Sequence, residues 1–173
     1  MICFISHDQG GSEYLYEYSK KNKYKKKIFC LEGPALKFFK NKNKKLKYVK
    51  FNQLHKYRID TIVTGTSYLN SFHLKGIKFA KKRKIKSLSI IDDWNEYKKR
   101  FTDKKKILLP DKIIVYNNAA YRLAKSAFPK QKILQLDDLY LKNILKDLKN
   151  EKKKIKSRKI FSYKKILYLS DPV

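Results

Sequence analysis

The first residues that could do chemistry are His7 and Asp8, which follow the opening apolar run of the chain. A carboxylate or an imidazole at this place could act as a general base. Gly10 and Gly11 come next and predict a sharp turn, whose free N–H groups could bind an anionic ligand where a helix begins. The alternative is a plain helix-entry turn in which Asp8 and Ser12 only cap the helix.

A second group, Gly65, Thr66 and Ser67, follows the apolar run DTIVT. Its hydroxyls and backbone amides are suited to sugar hydroxyls or to phosphate. Taken alone, three small residues are more typical of a simple turn. They are candidate site residues because they lie at the end of a predicted strand.

A third group consists of Asp92, Asp93, Trp94, Tyr97 and Arg100, and it contains the single tryptophan of the chain. The two aromatic rings could stack on a sugar face while the carboxylates accept hydrogen bonds from its hydroxyls. The alternative is structural: the tryptophan packs a helix onto the sheet, the second aspartate caps that helix, and the arginine forms an ion pair.

The elements around these groups predict an α/β fold with a doubly wound, mostly parallel, Rossmann-like sheet. Short β-branched runs alternate with glycine-containing turns and amphipathic segments. We predict strands at 1–5, 26–31, 47–51, 60–64, 85–91, 112–116 and 132–136, and helices at 14–22, 35–40, 70–82, 119–128 and 139–149. With the strand order 3-2-1-4-5, the loops after the first and fourth strands would face each other across the ligand crevice.

The domain boundaries follow from composition. Residues 1–150 form the Rossmann-like domain, and 151–165 form a basic linker. The run ILYLSDPV at 166–173 predicts the first strand of a second domain, with an extra edge strand of the same sheet as the alternative.

The charge is strongly positive, with 44 Lys and Arg against 15 Asp and Glu, a net +29. Only 5 of the cations are arginines, whereas recognition of phosphate and bases favours the planar guanidinium. The sequence therefore disfavours nucleic acid as partner and favours a solvated lysine surface, with an anionic membrane or polymer as the alternative.

The sequence contains no residue pattern that indicates a metal site or a redox site. Cys3 and Cys30 lie in predicted strands, as buried thiols of a reducing compartment would. His7, His55 and His73 show no ligand spacing, and the latter two are interpreted as surface or helix residues. Without a leader peptide or a long apolar run, we expect a cytoplasmic protein, with peripheral contact at the inner face of an anionic membrane as a further expectation.

The series ISHDQGGSE, LEGPA, VTGTS, IIDDWNEYKKRF, LPDKIIVYNNAA and ILQLDDLYL resembles the amino-terminal half of GT-B-type glycosyltransferases and related surface-polysaccharide biosynthesis proteins. The resemblance runs along nearly the whole chain and depends on the order of its motifs. The most distinctive are Asp-x-Gly-Gly at Asp8 to Gly11 and Asp-Trp-x-x-Tyr-x-x-Arg-Phe at Asp93 to Phe101.

This resemblance implies that the domain binds the acceptor, a glycan or a lipid-linked sugar, and that Asp8 or His7 is the base. The segments 65–67 and 92–97 would line the acceptor side. A nucleotide-sugar is then a substrate, with no further cofactor, and a donor-binding domain or partner chain is required for activity. The alternatives are a non-catalytic binding module for an anionic polymer or nucleic acid, and a fragment of a sugar-nucleotide epimerase or hydrolase.

Overall fold

The computed structural model of the chain describes residues 1–21 and 26–156. The predicted strand at 166–173 lies outside the described residues, as does the linker beyond residue 156.

Six parallel strands form one sheet, which confirms the predicted α/β class. The strands are β1 Ile2–Ser6, β2 Lys27–Leu31, β3 Thr61–Gly65, β4 Lys86–Ile90, β7 Lys112–Val115 and β8 Ile133–Gln135. Their order is β2-β1-β3-β4-β7-β8, and every pair is parallel. Because β2 and β3 lie on opposite sides of β1, strand order reverses between β1 and β3.

Helices connect these strands, and a small antiparallel hairpin precedes β7. The helices are α1 Gln9–Lys21, α2 Gly33–Lys42, the 3₁₀ helix η1 Phe51–Lys56, α3 Phe72–Lys82, α4 Tyr97–Arg100, α5 Asn118–Ala127 and α6 Leu139–Lys156. The hairpin consists of β5 Thr102–Asp103 and β6 Lys106–Ile107.

The strands are apolar because both of their faces are covered. Phe4 of β1 packs in a cluster with Phe39 of α2, whereas its neighbour Ile5 packs in a second cluster with Phe72 of α3. All four side chains are buried, and each contributes about 1.5–3 kcal/mol of hydrophobic free energy. This packing fixes the sheet, and therefore the loops at its carboxyl edge.

The prediction of a third strand at 47–51 is wrong. This segment forms only a single parallel bridge, between Phe29 and Tyr48. The ladder stops because the backbone N–H of Lys50 donates to the side-chain Oε1 of Gln53 at 3.0 Å, and η1 begins at Phe51.

The prediction of a glycine turn before the first helix is also wrong. The helix begins at Gln9, so Gly10 and Gly11 belong to its first turn. Ser12 lies inside the helix and does not cap it.

The chain divides into two compact units, Met1–Tyr140 and Leu141–Val173. The first contains the whole sheet. In the second, the described residues belong to α6, which runs seven residues beyond the predicted end at Lys149. No helix within residues 1–21 or 26–156 combines the length and apolar character needed to cross a membrane.

Candidate functional site

The start of α1 lies directly against the loops that follow β3 and β4. A Cβ on Gly10 would lie 2.5 Å from Oδ2 of Asp92, and one on Gly11 would lie 3.0 Å from the carbonyl oxygen of Thr66. The two glycines are therefore explained by close approach between segments far apart in sequence, and not by a turn.

A buried hydroxyl network joins β1 to the same helix. Ser12 Oγ lies 2.6 Å from the carbonyl oxygen of Asp8 and 2.9 Å from Ser6 Oγ. A Cβ on Gly65 would lie 2.7 Å from that Ser6 Oγ and 2.8 Å from the carbonyl oxygen of Gly11. The carboxyl ends of β1 and β3 thus meet with no space for a further side chain.

Arg100 is the central charged residue of the site, with a side chain only 2% exposed. Its Nη1 donates to Asp92 Oδ1 at 2.9 Å and to Thr66 Oγ1 at 3.1 Å, and its Nε donates to the carbonyl oxygen of Asn95 at 2.9 Å. Its Nη2 lies 3.6 Å from Asp93 Oδ2. One guanidinium therefore ties the β3 loop to the β4 loop.

Asp92 is the acidic partner of this buried pair. Burial raises the pKa of the Asp92 carboxyl above its usual value, while the charge of Arg100 opposes the shift. Its Oδ1 accepts from the arginine, and its Oδ2 faces the first turn of α1 at Gly10. A carboxylate is favoured there because the first N–H groups of a helix have no partner within the helix.

His7 and Asp8 form a hydrogen-bonded pair on the solvent side of this region. His7 Nδ1 lies 2.7 Å from Asp8 Oδ1, and both side chains are about one-third exposed. His7 Nε2 faces the start of α2, where a Cβ on Gly33 would lie 2.6 Å away. In the tautomer whose Nδ1 donates to the carboxylate, Nε2 carries the lone pair that a general base needs.

The hydroxyls of Thr66 and Ser67 are used inside the loop. Thr66 Oγ1 donates to the carbonyl oxygen of Ile90 at 3.0 Å. The Ser67 hydroxyl accepts from the backbone N–H groups of Leu69 and Asn70 at 3.0 and 2.9 Å. Both residues are buried, so they shape the loop from within.

The two aromatic candidates of the third group differ in how exposed they are. Trp94 is 61% exposed at the mouth of the site. Tyr97 is 7% exposed, packs in the core, and its hydroxyl lies 3.3 Å from the carbonyl oxygen of Ala120. Asp93 accepts from the backbone N–H of Trp94 at 2.5 Å. The tyrosine thus fixes α4 to α5, and the tryptophan is the accessible ring.

Three residues beside Asp92 were not singled out from the sequence. Tyr14, Tyr116 and Asn117 line a small cavity together with Asp92 and Trp94. The rings of Tyr14 and Tyr116 stack with centroids 4.7 Å apart. Burial raises the pKa of both phenols, which keeps their hydroxyls protonated. The available signal was the position of Tyr116-Asn117 at the carboxyl end of a predicted strand.

His73 was interpreted as a surface or helix residue, and it is a helix residue: it lies in α3 and is buried there. It is 2% exposed, and its Nε2 lies 2.7 Å from the carbonyl oxygen of Arg100. Burial lowers the pKa of His73 to about 4, so the ring is neutral and donates from Nε2. Its role is to hold the backbone that carries the arginine.

Comparison of the chain with protein-family models, with curated proteins and with solved structures found no match. Among the residues that the structure describes, no group of three His, Cys, Asp or Glu side chains could hold a metal ion.

This edge of the sheet brings together side chains that are capable of acid–base chemistry. It offers an oriented imidazole–carboxylate pair, an exposed indole and a buried ion pair that fixes the loops. Hydrogen bonds from Arg100 join the β3 loop at Thr66 to the β4 loop at Asp92. The β1 group lies against both loops because Gly10 closely approaches Asp92 and Gly11 closely approaches Thr66.

Proposed function

We propose that this chain is the acceptor-side domain of a GT-B-type glycosyltransferase that builds a cell-surface polysaccharide. The observation that carries the proposal is the His7–Asp8 pair, 2.7 Å apart, next to the reversal of strand order between β1 and β3. In parallel sheets the ligand crevice lies at this point. The order of the motifs in the sequence supports the same family.

The proposed reaction is a direct displacement at the anomeric carbon of a nucleotide-sugar. An acceptor hydroxyl attacks that carbon, and its proton passes to His7 Nε2. The bond to the nucleoside diphosphate breaks with its electron pair. Asp8 holds the imidazole and stabilises the imidazolium that forms. This single displacement inverts the configuration of the sugar.

Such a reaction also requires a donor site, an acceptor and a place in the cell. The domain is a doubly wound, Rossmann-like unit, and a second domain or partner chain supplies the nucleotide-sugar site. The acceptor is a glycan or a lipid-linked sugar, and the reaction takes place in the cytoplasm, with lysines resting against an anionic membrane. The exposed Trp94 offers a stacking face for the acceptor.

The test is sugar transfer by the chain combined with a polypeptide that supplies the donor domain. Asp8→Ala and His7→Ala should each lower the rate by about 10²- to 10⁴-fold, the usual contribution of general base catalysis. Asp103→Ala is the matched control, because this half-buried acid lies on the β5–β6 hairpin, outside the site, and pairs with Lys78 of α3. Thermal unfolding verifies that all variants fold.

Unchanged transfer in both His7→Ala and Asp8→Ala would remove the pair from the mechanism. If the combined proteins transfer no sugar but bind polyanions with equal strength whatever their structure, the binding-module alternative replaces the enzyme.

A further inference from the structure

A groove with a volume of about 830 Å³ lies beyond the carboxyl end of β2, between α2 and η1. Ligand pockets for small molecules typically enclose about 300–1,000 Å³. The candidate site described above does not include this groove.

The lining combines an apolar floor with a polar rim. The floor contains Leu36, Tyr48, Val49 and Phe51, and the rim contains Glu32, Lys40, Lys50, Asn52 and Gln53. Lys40, Lys50, Asn52 and Gln53 are exposed, whereas Val49 is buried. Sugars need this combination, because their C–H faces pack on apolar surface while their hydroxyls bond to amides and charged groups.

The charge around the groove is predominantly positive. Residues 33–59 contain eight lysines and one arginine but no aspartate or glutamate. This segment supplies every lining residue from Gly33 to Gln53, and Glu32 is the single acid on the rim. A concave surface lined by one sign of charge concentrates ligands of the opposite sign.

The groove also reaches the candidate base. Gly33 lines the groove, and a Cβ at this position would lie 2.6 Å from His7 Nε2. Gly33 has a φ of +51°, a conformation that side chains with a Cβ adopt at a cost. Glycine is therefore required where the groove meets the imidazole.

We infer that this groove binds an anionic oligosaccharide, whose carboxylate or phosphate groups contact Lys40 and Lys50. That this ligand is the acceptor rests on the proposed function. Binding itself does not, since it follows from the lining, the volume and the charge of the groove.

The experiment titrates the ¹⁵N-labelled full chain with three probes: tetragalacturonate, a phosphorylated maltotetraose and neutral maltotetraose. At about 0.1 M NaCl, the anionic probes should shift the amides of Gly33, Asn52 and Gln53 and bind at least about tenfold tighter than the neutral one. Whichever anionic probe binds more tightly identifies a carboxylate or a phosphate as the group recognised.

Two double variants with equal loss of charge separate the groove from general attraction. Lys40→Gln with Lys50→Gln should weaken binding of the anionic probes by about tenfold or more. Lys86→Gln with Lys132→Gln removes two exposed lysines at the amino edge of the sheet and should leave it unchanged. Asn52→Trp fills the groove without altering charge and should abolish binding.

Equal weakening by both lysine pairs, or equal affinity for neutral and anionic probes, would overturn the inference. Circular dichroism checks the fold, and the lysine pairs decide the outcome if Asn52→Trp does not fold. Groove binding without sugar transfer would contradict only the proposed function, whereas transfer without groove binding would contradict only this inference.

Discussion

Gly65 occupies the closest approach between β1, α1 and β3. An alanine Cβ there would lie 2.8 Å from the carbonyl oxygen and 2.9 Å from the carbonyl carbon of Gly11, and backbone atoms cannot move aside as a side chain can. We expect Gly65→Ala to lower the free energy of unfolding by about 1–3 kcal/mol, as overpacking does. Urea denaturation measures the change.

Gly10→Ala is the matched control for that prediction. Its Cβ meets the end of the Asp92 side chain, which can rotate, and alanine gains up to about 1 kcal/mol of helix propensity over glycine. Gly10→Ala should therefore lower the free energy of unfolding by less than Gly65→Ala does. The reverse order would show that the Asp92 carboxylate is held more rigidly than the backbone.

His73 gives the folded protein a specific dependence on pH. Because burial lowers the pKa of His73 to about 4 from an ordinary 6.5, the unfolded chain takes up a proton in this interval and the folded chain does not. The stabilisation is complete above pH 6.5 and should fall by about 3 kcal/mol as the pH drops to 4. Urea unfolding at several pH values measures the slope.

In His73→Gln, the amide can still donate to the carbonyl oxygen of Arg100, and no group titrates there. This variant should lose that part of the slope between pH 6.5 and 4. His55→Gln, at an exposed position, should retain it. An identical slope in wild type and His73→Gln would mean that other groups cause the acid sensitivity.

At the scale of elements, five parallel strands beyond β1 were predicted within two residues of their bounds. The clearest of them are runs that are mostly buried and rich in β-branched or aromatic side chains, as in KIFCL of β2, TIVTG of β3 and KIIV of β7. The hairpin of β5 and β6 was missed because its turn uses Lys104 and Lys105 at φ of 45° and 67°. Such turns usually contain asparagine or glycine, so two lysines give no signal.

The sequence indicated which loops form the site, but not which side chains are in contact there. Position after a buried strand indicated Asp8, Thr66 and Asp92. Sequence could not indicate that Thr66 bonds inward or that Tyr97 is buried, because both depend on which segments pack against each other. Gly10 and Gly11 illustrate the limit, since glycines for close packing and for a turn look identical in a sequence.

Helix α5 depends on a side-chain cap at the same edge of the sheet. Asn117 Oδ1 accepts from the backbone N–H of Ala120 at 2.8 Å. Asn117→Ala should lower the free energy of unfolding by about 1 kcal/mol, whereas Asn117→Ser should retain most of it. Asn118→Ala, one residue later and exposed, should change it by less than about 0.5 kcal/mol. Equal losses for Ala and Ser would show that the cap contributes nothing.

At the scale of the whole molecule, the net charge of +29 must act against compactness, because like charges repel across the folded surface. The buried pair of Arg100 and Asp92 is shielded from salt by the protein, whereas the exposed lysines are not. We therefore expect the urea midpoint to rise as NaCl increases from about 0.01 M to 0.5 M, over which the Debye length falls from about 30 Å to below 10 Å.

A variant with four exposed lysines replaced tests this directly. Lys44, Lys45, Lys86 and Lys130 are exposed, and changing each to Gln lowers the net charge by four. The variant should be more stable than wild type in low salt and gain less from added NaCl, because less repulsion is left to screen. A midpoint that falls with salt would show that attraction between surface charges outweighs repulsion, and that the lysines are arranged in ion pairs and not only as a solvated surface.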